Sequence, residues 1–166
     1  SKKRFLALKE GYHGDTLGAV GVGFVERFHK ELRGSVAESL CATSPHCARC
    51  PYAKEKSSCD VECFDSMEEL IKANHEEVTA LILEPLCQGS AGIRIYPSEY
   101  LRRARELCDK YDILLIADEI AVGLGRTGAM FACEKAGIVP DMMTLGKGLT
   151  GGYLPLSTLL VKDEIY

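Results

Sequence analysis

Ile113-Leu114-Leu115-Ile116-Ala117-Asp118-Glu119 is an unbroken apolar run that ends in two carboxylates. Consecutive apolar residues bury both faces of a strand, as happens inside a parallel sheet and not at a solvated surface. Just upstream, Ser98 to Lys110 brings Leu101, Ala104, Arg105, Leu107 and Cys108 near one stripe, with Pro97 immediately before it, and reads as a helix. Further back, Thr79-Ala80-Leu81-Ile82-Leu83-Glu84 is another buried strand, ended by Pro85. Strand, helix, strand with fully apolar strands predicts an α/β fold, a mostly parallel sheet with helices on both faces.

Working outward, Arg4-Phe5-Leu6-Ala7-Leu8 reads as a first strand, followed by a helix from about Thr16 to Val22 with Asp15 as its cap. From residue 23 to 65 periodicity fails, and five of the eight cysteines collect there among Gly, Pro and Ser, which predicts a Cys-rich loop. Ser66-Met67-Glu68-Glu69 has the form of a capping box and starts a helix to about Glu76. Thr127 to Ala136 reads as a short helix ended by Gly137, and Met142–Leu145 and Leu156–Val161 as two more strands. Residues 1–166 thus read as one domain.

The hydrophobic share of 46% and charged share of 27% are those of a globular protein. A net charge of −4, with no basic run longer than Lys2-Lys3-Arg4, argues against a nucleic-acid partner and for small molecules. The apolar runs at 80–83 and 113–117 fall far short of the ~20 residues a membrane helix needs. With no secretory signal visible, a cytoplasmic protein with reduced thiols is expected.

The chemistry lies at the strand ends. Lys147, in Thr144-Leu145-Gly146-Lys147-Gly148-Leu149-Thr150-Gly151-Gly152, follows Asp118 by 29 residues. A lysine in a glycine-lined turn can form a Schiff base with an aldehyde cofactor. An aspartate at a strand's carboxyl end can keep the pyridine nitrogen of pyridoxal phosphate protonated, which makes its ring an electron sink. Tyr12 and His13 follow the first strand, Glu84 the second, Asp118 the third and Lys147 the fourth, and ligands of open α/β sheets gather at such ends. Tyr12 is the candidate for one face of a flat ring and Ile120 for the other. For His13 the alternative is a turn residue bonded to local backbone and for Glu84 a structural role, while Arg126, whose planar fork could bind a carboxylate or phosphate, is read as organising its loop.

The segment Leu115 to Gly128 with Leu145 to Gly152 resembles the signature of the class III pyridoxal-phosphate aminotransferases of fold type I. Gly11-Tyr12-His13-Gly14-Asp15-Thr16, Phe131-Ala132-Cys133-Glu134, and Ala121 where ornithine-type relatives carry glutamine look like the biotin-pathway branch. That branch comprises the 8-amino-7-oxononanoate (7,8-diaminopelargonate) aminotransferases. The resemblance implies part of a large domain that transfers an amino group from S-adenosylmethionine or lysine to the keto acceptor. It implies Lys147 as catalytic residue, Asp118, Tyr12, His13 and Ile120 around pyridoxal 5'-phosphate, and Tyr12 and Lys147 beside the substrate. It also implies a homodimer when full length and inactivity of these 166 residues alone. An ornithine- or 4-aminobutyrate-like aminotransferase is the alternative within the family.

A reading of another class rests on Cys47-x2-Cys50-x8-Cys59-x3-Cys63, with Cys41 and His46 nearby: a non-catalytic piece with a zinc or iron–sulfur site. The middle spacing is shorter than in most zinc ribbons, and no metal is expected.

Overall fold

The computed structural model describes residues 2–55 and 57–166. Its strands are β1 (Arg4–Leu8), β2 (Leu40–Ala42), β3 (Val78–Leu83), β4 (Cys87–Gln88), β5 (Arg94–Ile95), β6 (Leu114–Asp118), β7 (Met142–Leu145) and β8 (Thr158–Val161). Its helices are α1 (Leu17–Val22), α2 (Glu26–His29), α3 (Asp65–Asn74) and α4 (Ser98–Lys110). Six strands form one sheet in the order β2-β1-β3-β6-β7-β8, and β4 and β5 form a small antiparallel ribbon. All neighbours in the large sheet are parallel except β7 and β8. The mostly parallel α/β architecture is therefore present.

Register explains which side chains meet. Leu6 lies opposite Leu81 and Leu81 opposite Leu115, while Leu83 lies opposite Ala117 and Ala117 opposite Met143. Residues paired in register share a face, and these rows belong to the single core cluster. Met67 and Ile71 of α3 and Tyr100, Leu101, Ala104, Leu107 and Cys108 of α4 complete that cluster. The α4 stripe recurs every three to four residues, as the sequence indicates, and Arg105 at its edge is largely covered, bonded to Asp141 at 2.7 Å. Because side chains alternate along a strand, Asp118 and its register partner Thr144 lie on the opposite face from this core.

Several local expectations are corrected. Thr16 caps α1, accepting from the Ala19 amide, and Asp15 has other partners. The α3 helix begins at Asp65 without a side-chain cap, and the Ser66 hydroxyl accepts instead from the Thr43 amide at 3.0 Å. Capping competes with any other donor within reach, and the chain returning after β2 supplies one. The stretch 23–65 is not all loop, since α2, β2 and three short 3-10 turns lie within it, and β2 extends the sheet at its edge. Between Thr127 and Ala136 only Ala132–Ala136 is helical, as a 3-10 turn ended by Gly137 at φ 66°. Among the described residues no helix is long and apolar enough to cross a membrane.

Candidate active site

Parallel pairing brings the carboxyl ends of β1, β3, β6 and β7 to one edge of the sheet, and the predicted side chains meet there. An open recess of about 490 Å³ is lined by Tyr12, His13, Glu84, Asp118, Ile120 and Lys147, among others. A volume of this order suits a small ligand. A larger, more apolar recess of about 600 Å³ shares Gly89, Ile93 and Ala121 with it, but the titratable groups of the strand ends line the smaller one.

Asp118 is the most tightly held of these groups. Its side chain is 6% exposed, with Oδ2 at 2.7 Å from His13 Nδ1. Its Oδ1 accepts from the Ile120 amide at 3.1 Å and from the Thr144 hydroxyl at 3.2 Å. A carboxylate offers about four acceptor positions, so these three contacts leave room for one more donor. His13 bonds to Asp118 and not to local backbone. Its Nε2 is buried with no hydrogen-bond partner, close to Gly11 and packed where Gly23 lacks a side chain. A Cβ on Gly23 would stand 2.8 Å from the His13 amide nitrogen.

Lys147 begins a short 3-10 turn directly after β7 and has φ 40°, a left-handed conformation unusual for a residue with a Cβ. Leu86 and Ile93 around the two recesses, and Leu124 in the adjoining loop, also have positive φ. Strain of this kind persists where surrounding structure enforces it, and it gathers at functional sites. Gly146 is needed for close approach, since a Cβ there would lie 3.3 Å from the Ile120 side chain. Arg126 borders a further recess together with Lys147 and Gly148.

Glu84, 5% exposed, accepts from the amides of Tyr12 at 3.2 Å and Gly89 at 2.8 Å. Burial pushes its carboxyl above the usual carboxylate range, against the opposing pull of those two amides. It thus ties the turn bearing Tyr12 to the turn after β3. Thr144 and His29 were missed by sequence reasoning. The pairing of Asp118 with Thr144 becomes visible only once β6 and β7 are set in register.

In the cysteine segment, burial pushes the Cys63 thiol up to about 12, with Cys47, Cys59 and Cys50 adding to the effect. Cys41 and Cys47 are exposed. Among the described residues, no group of three or more His, Cys, Asp or Glu side chains is arranged to hold a metal ion.

The profile of the family Aminotransferase class-III matches residues 1–166. The chain is 46% identical over 166 residues to the adenosylmethionine-8-amino-7-oxononanoate aminotransferase of Geobacter sulfurreducens, covering 99% of this chain and 37% of that protein. It is 44% identical to the Staphylococcus aureus protein of the same name, covering 36% of it. Among solved structures, the Methanocaldococcus jannaschii adenosylmethionine-8-amino-7-oxononanoate aminotransferase superposes with TM-score 0.86 at 41% identity, over 99% of this chain and 36% of that one. An amine transaminase from an uncultivated Pseudomonas species, in its PLP-bound form, gives 0.90 at 36% identity, over 99% of this chain and 37% of that one. The chain spans a little over a third of the length of these relatives.

Proposed function

Because the chain belongs to the class-III aminotransferases, we propose that its recess carries out pyridoxal-phosphate-dependent transamination of 8-amino-7-oxononanoate to 7,8-diaminononanoate, a step of biotin synthesis. The amino donor is S-adenosylmethionine or lysine, and the names borne by the relatives favour the former. The observation that carries the reading is the meeting of Lys147 with a buried, three-times-bonded Asp118 in one recess. The 1–166 segment is then part of a cofactor-binding large domain.

The residues present fit such a cofactor. An exposed amine, a buried carboxylate with an acceptor position to spare, and an aromatic ring line the same space. Pyridoxal phosphate, when bound, supplies the electron sink that lets a C–H bond beside an amine be broken. Lys147 Nζ would hold the cofactor and would serve as the group that moves a proton at the substrate carbon, a role typically contributing about 10²–10⁴-fold. Asp118, with an acceptor position to spare, would keep the cofactor's ring nitrogen protonated. His13, Thr144 and the Ile120 amide keep that carboxylate in one orientation. Tyr12 and Ile120 both line the recess, where they would flank the ring and Tyr12 would also border the substrate. Glu84 fixes the Tyr12 turn through its amide.

A homodimer in the cytoplasm fits the same reading. Tyr153, Leu154 and Leu156, six to nine residues after Lys147, are 93%, 69% and 57% exposed, an apolar segment suited to cover by a second subunit. Sedimentation of the complete protein should give the dimer mass.

The test of the site is chemical. The complete protein should be yellow, and borohydride followed by peptide mapping should label Lys147. A label on another lysine with Lys147 unmodified would reject the assignment. Turnover of ornithine or 4-aminobutyrate in place of the oxononanoate would keep the chemistry and change the substrate. These 166 residues alone should show no transamination when assayed beside the complete enzyme.

A further inference from the structure

The contacts of Asp15 point away from the cap the sequence suggests and toward His29. The Val25 amide donates to His29 Nδ1 at 3.1 Å, so that ring nitrogen carries no proton. The proton of the neutral ring must then sit on Nε2, which faces Asp15 Oδ1 at 3.0 Å. The other oxygen of Asp15 accepts from the Tyr12 hydroxyl at 2.8 Å. A backbone amide thus sets the tautomer of His29, His29 orients Asp15, and Asp15 holds the phenol of Tyr12.

A second contact joins the same residues. The His29 ring lies nearly parallel to the Tyr12 ring, with centroids 5.9 Å apart and planes 12° from one another. Phe24 and Phe28 meet His29 edge-on at 5.9 and 6.2 Å, and Phe28 meets Tyr12 at 6.2 Å. The His29 side chain is 3% exposed, whereas Asp15 is 72% exposed. An exposed carboxylate without partners would wander among rotamers. Here the donors from His29 and Tyr12 hold its carboxyl below the ordinary range and fix it in place.

We propose that His29 is a positioning residue for the Lys147 recess: through Asp15 and through its own ring, it holds the Tyr12 side chain in the orientation that walls the site. The inference rests on the reading of that recess as the cofactor site. His29 touches none of the reacting groups, and its effect passes through Tyr12. The role also accounts for α2, a four-residue helix whose last residue is His29. Its position inside the irregular stretch after α1 is what carries the histidine back to the first turn.

The test uses the complete protein, with cofactor dissociation measured by absorbance titration of cofactor-stripped enzyme and kcat/KM measured on the loaded one. His29→Phe keeps a ring but removes both hydrogen bonds, and Asp15→Asn is the second, exposed variant should His29→Phe fold poorly. Each, like Tyr12→Phe, should lower kcat/KM about tenfold and weaken cofactor binding severalfold, and His29→Gln, whose amide can both accept and donate, should recover most of the loss. The double variant His29→Phe with Tyr12→Phe should lose about tenfold and not roughly a hundredfold, because the two residues act through one chain of contacts. Multiplying losses, or wild-type values in His29→Phe or in Asp15→Asn, would overturn the proposal. Tyr12→Ala separates the two levels. If it is impaired while His29→Phe is not, only the positioning role fails, whereas wild-type behaviour of Tyr12→Ala overturns both that role and the placement of the cofactor.

Discussion

Asp118 owes its orientation to three donors or ring contacts from three different parts of the chain: the turn after β1, its own strand end and β7. Removing the carboxylate and loosening it are separable. Asp118→Asn keeps shape and most contacts but cannot retain the ring-nitrogen proton, so turnover of the complete enzyme should fall by about 10²-fold or more with an unchanged far-ultraviolet circular dichroism spectrum. Thr144→Val removes one support only. The loss of one such hydrogen bond is worth about 1 kcal/mol, so kcat/KM should drop roughly fivefold with Asp118 still in place. An Asp118→Asn enzyme that turns over normally would rule out the assigned role.

At the scale of elements, the segment after β6 is folded back by Glu119. This residue is 1% exposed, and its two carboxylate oxygens each accept at 2.8 Å, from the amides of Ala132 and Cys133. Those amides open the 3-10 turn Ala132–Ala136, where free N–H groups favour an anion. Gly123 allows the closure, because a Cβ there would stand 2.8 Å from the Glu119 carbonyl oxygen. Gly123→Ala should therefore displace the loop that carries Ala121 to Arg126, lowering stability by about 1–3 kcal/mol and weakening cofactor binding, both measurable by thermal melts with and without cofactor. Strong periodicity made α4 legible to the residue, Ser98–Lys110, and the apolar runs located β3 and β6 to within a residue or so. The short elements α2 and β2 were not legible, since four and three residues are too few to carry a period.

Across the whole molecule, Asp141 joins α4, β6 and the residue that follows β8. It accepts from Arg105, from the Leu115 amide and from Lys162, each at 2.7 Å. Burial alone would raise its carboxyl, but the bonds from Lys162, the Leu115 amide and Arg105 outweigh that and hold it below the ordinary range. A carboxylate with a depressed native pKa contributes stability that is present above its unfolded value, about 3.9, and lost as pH falls through the native value. Asp141→Asn should cost roughly 2–4 kcal/mol near neutral pH, because two cations lose their partner. The gap in melting temperature between wild type and variant should shrink below about pH 4, and a gap that stays constant would count against this account.

What the sequence determined by itself was local: which runs are buried strands, where α4 lies, and that Tyr12, His13, Glu84, Asp118 and Lys147 each stand at a strand's end. Those features follow from hydrophobic period and from glycine and proline punctuation, which act over a few residues. Only the tertiary structure decided the partners: His13 on Asp118 across 105 residues, Thr144 beside it through register, and Asp15 turned from a helix cap to a bridge between His29 and Tyr12. A hydrogen bond between distant residues depends on how strands align and on which donors are left unpaired once they do, and neither is written in the pattern of any single segment.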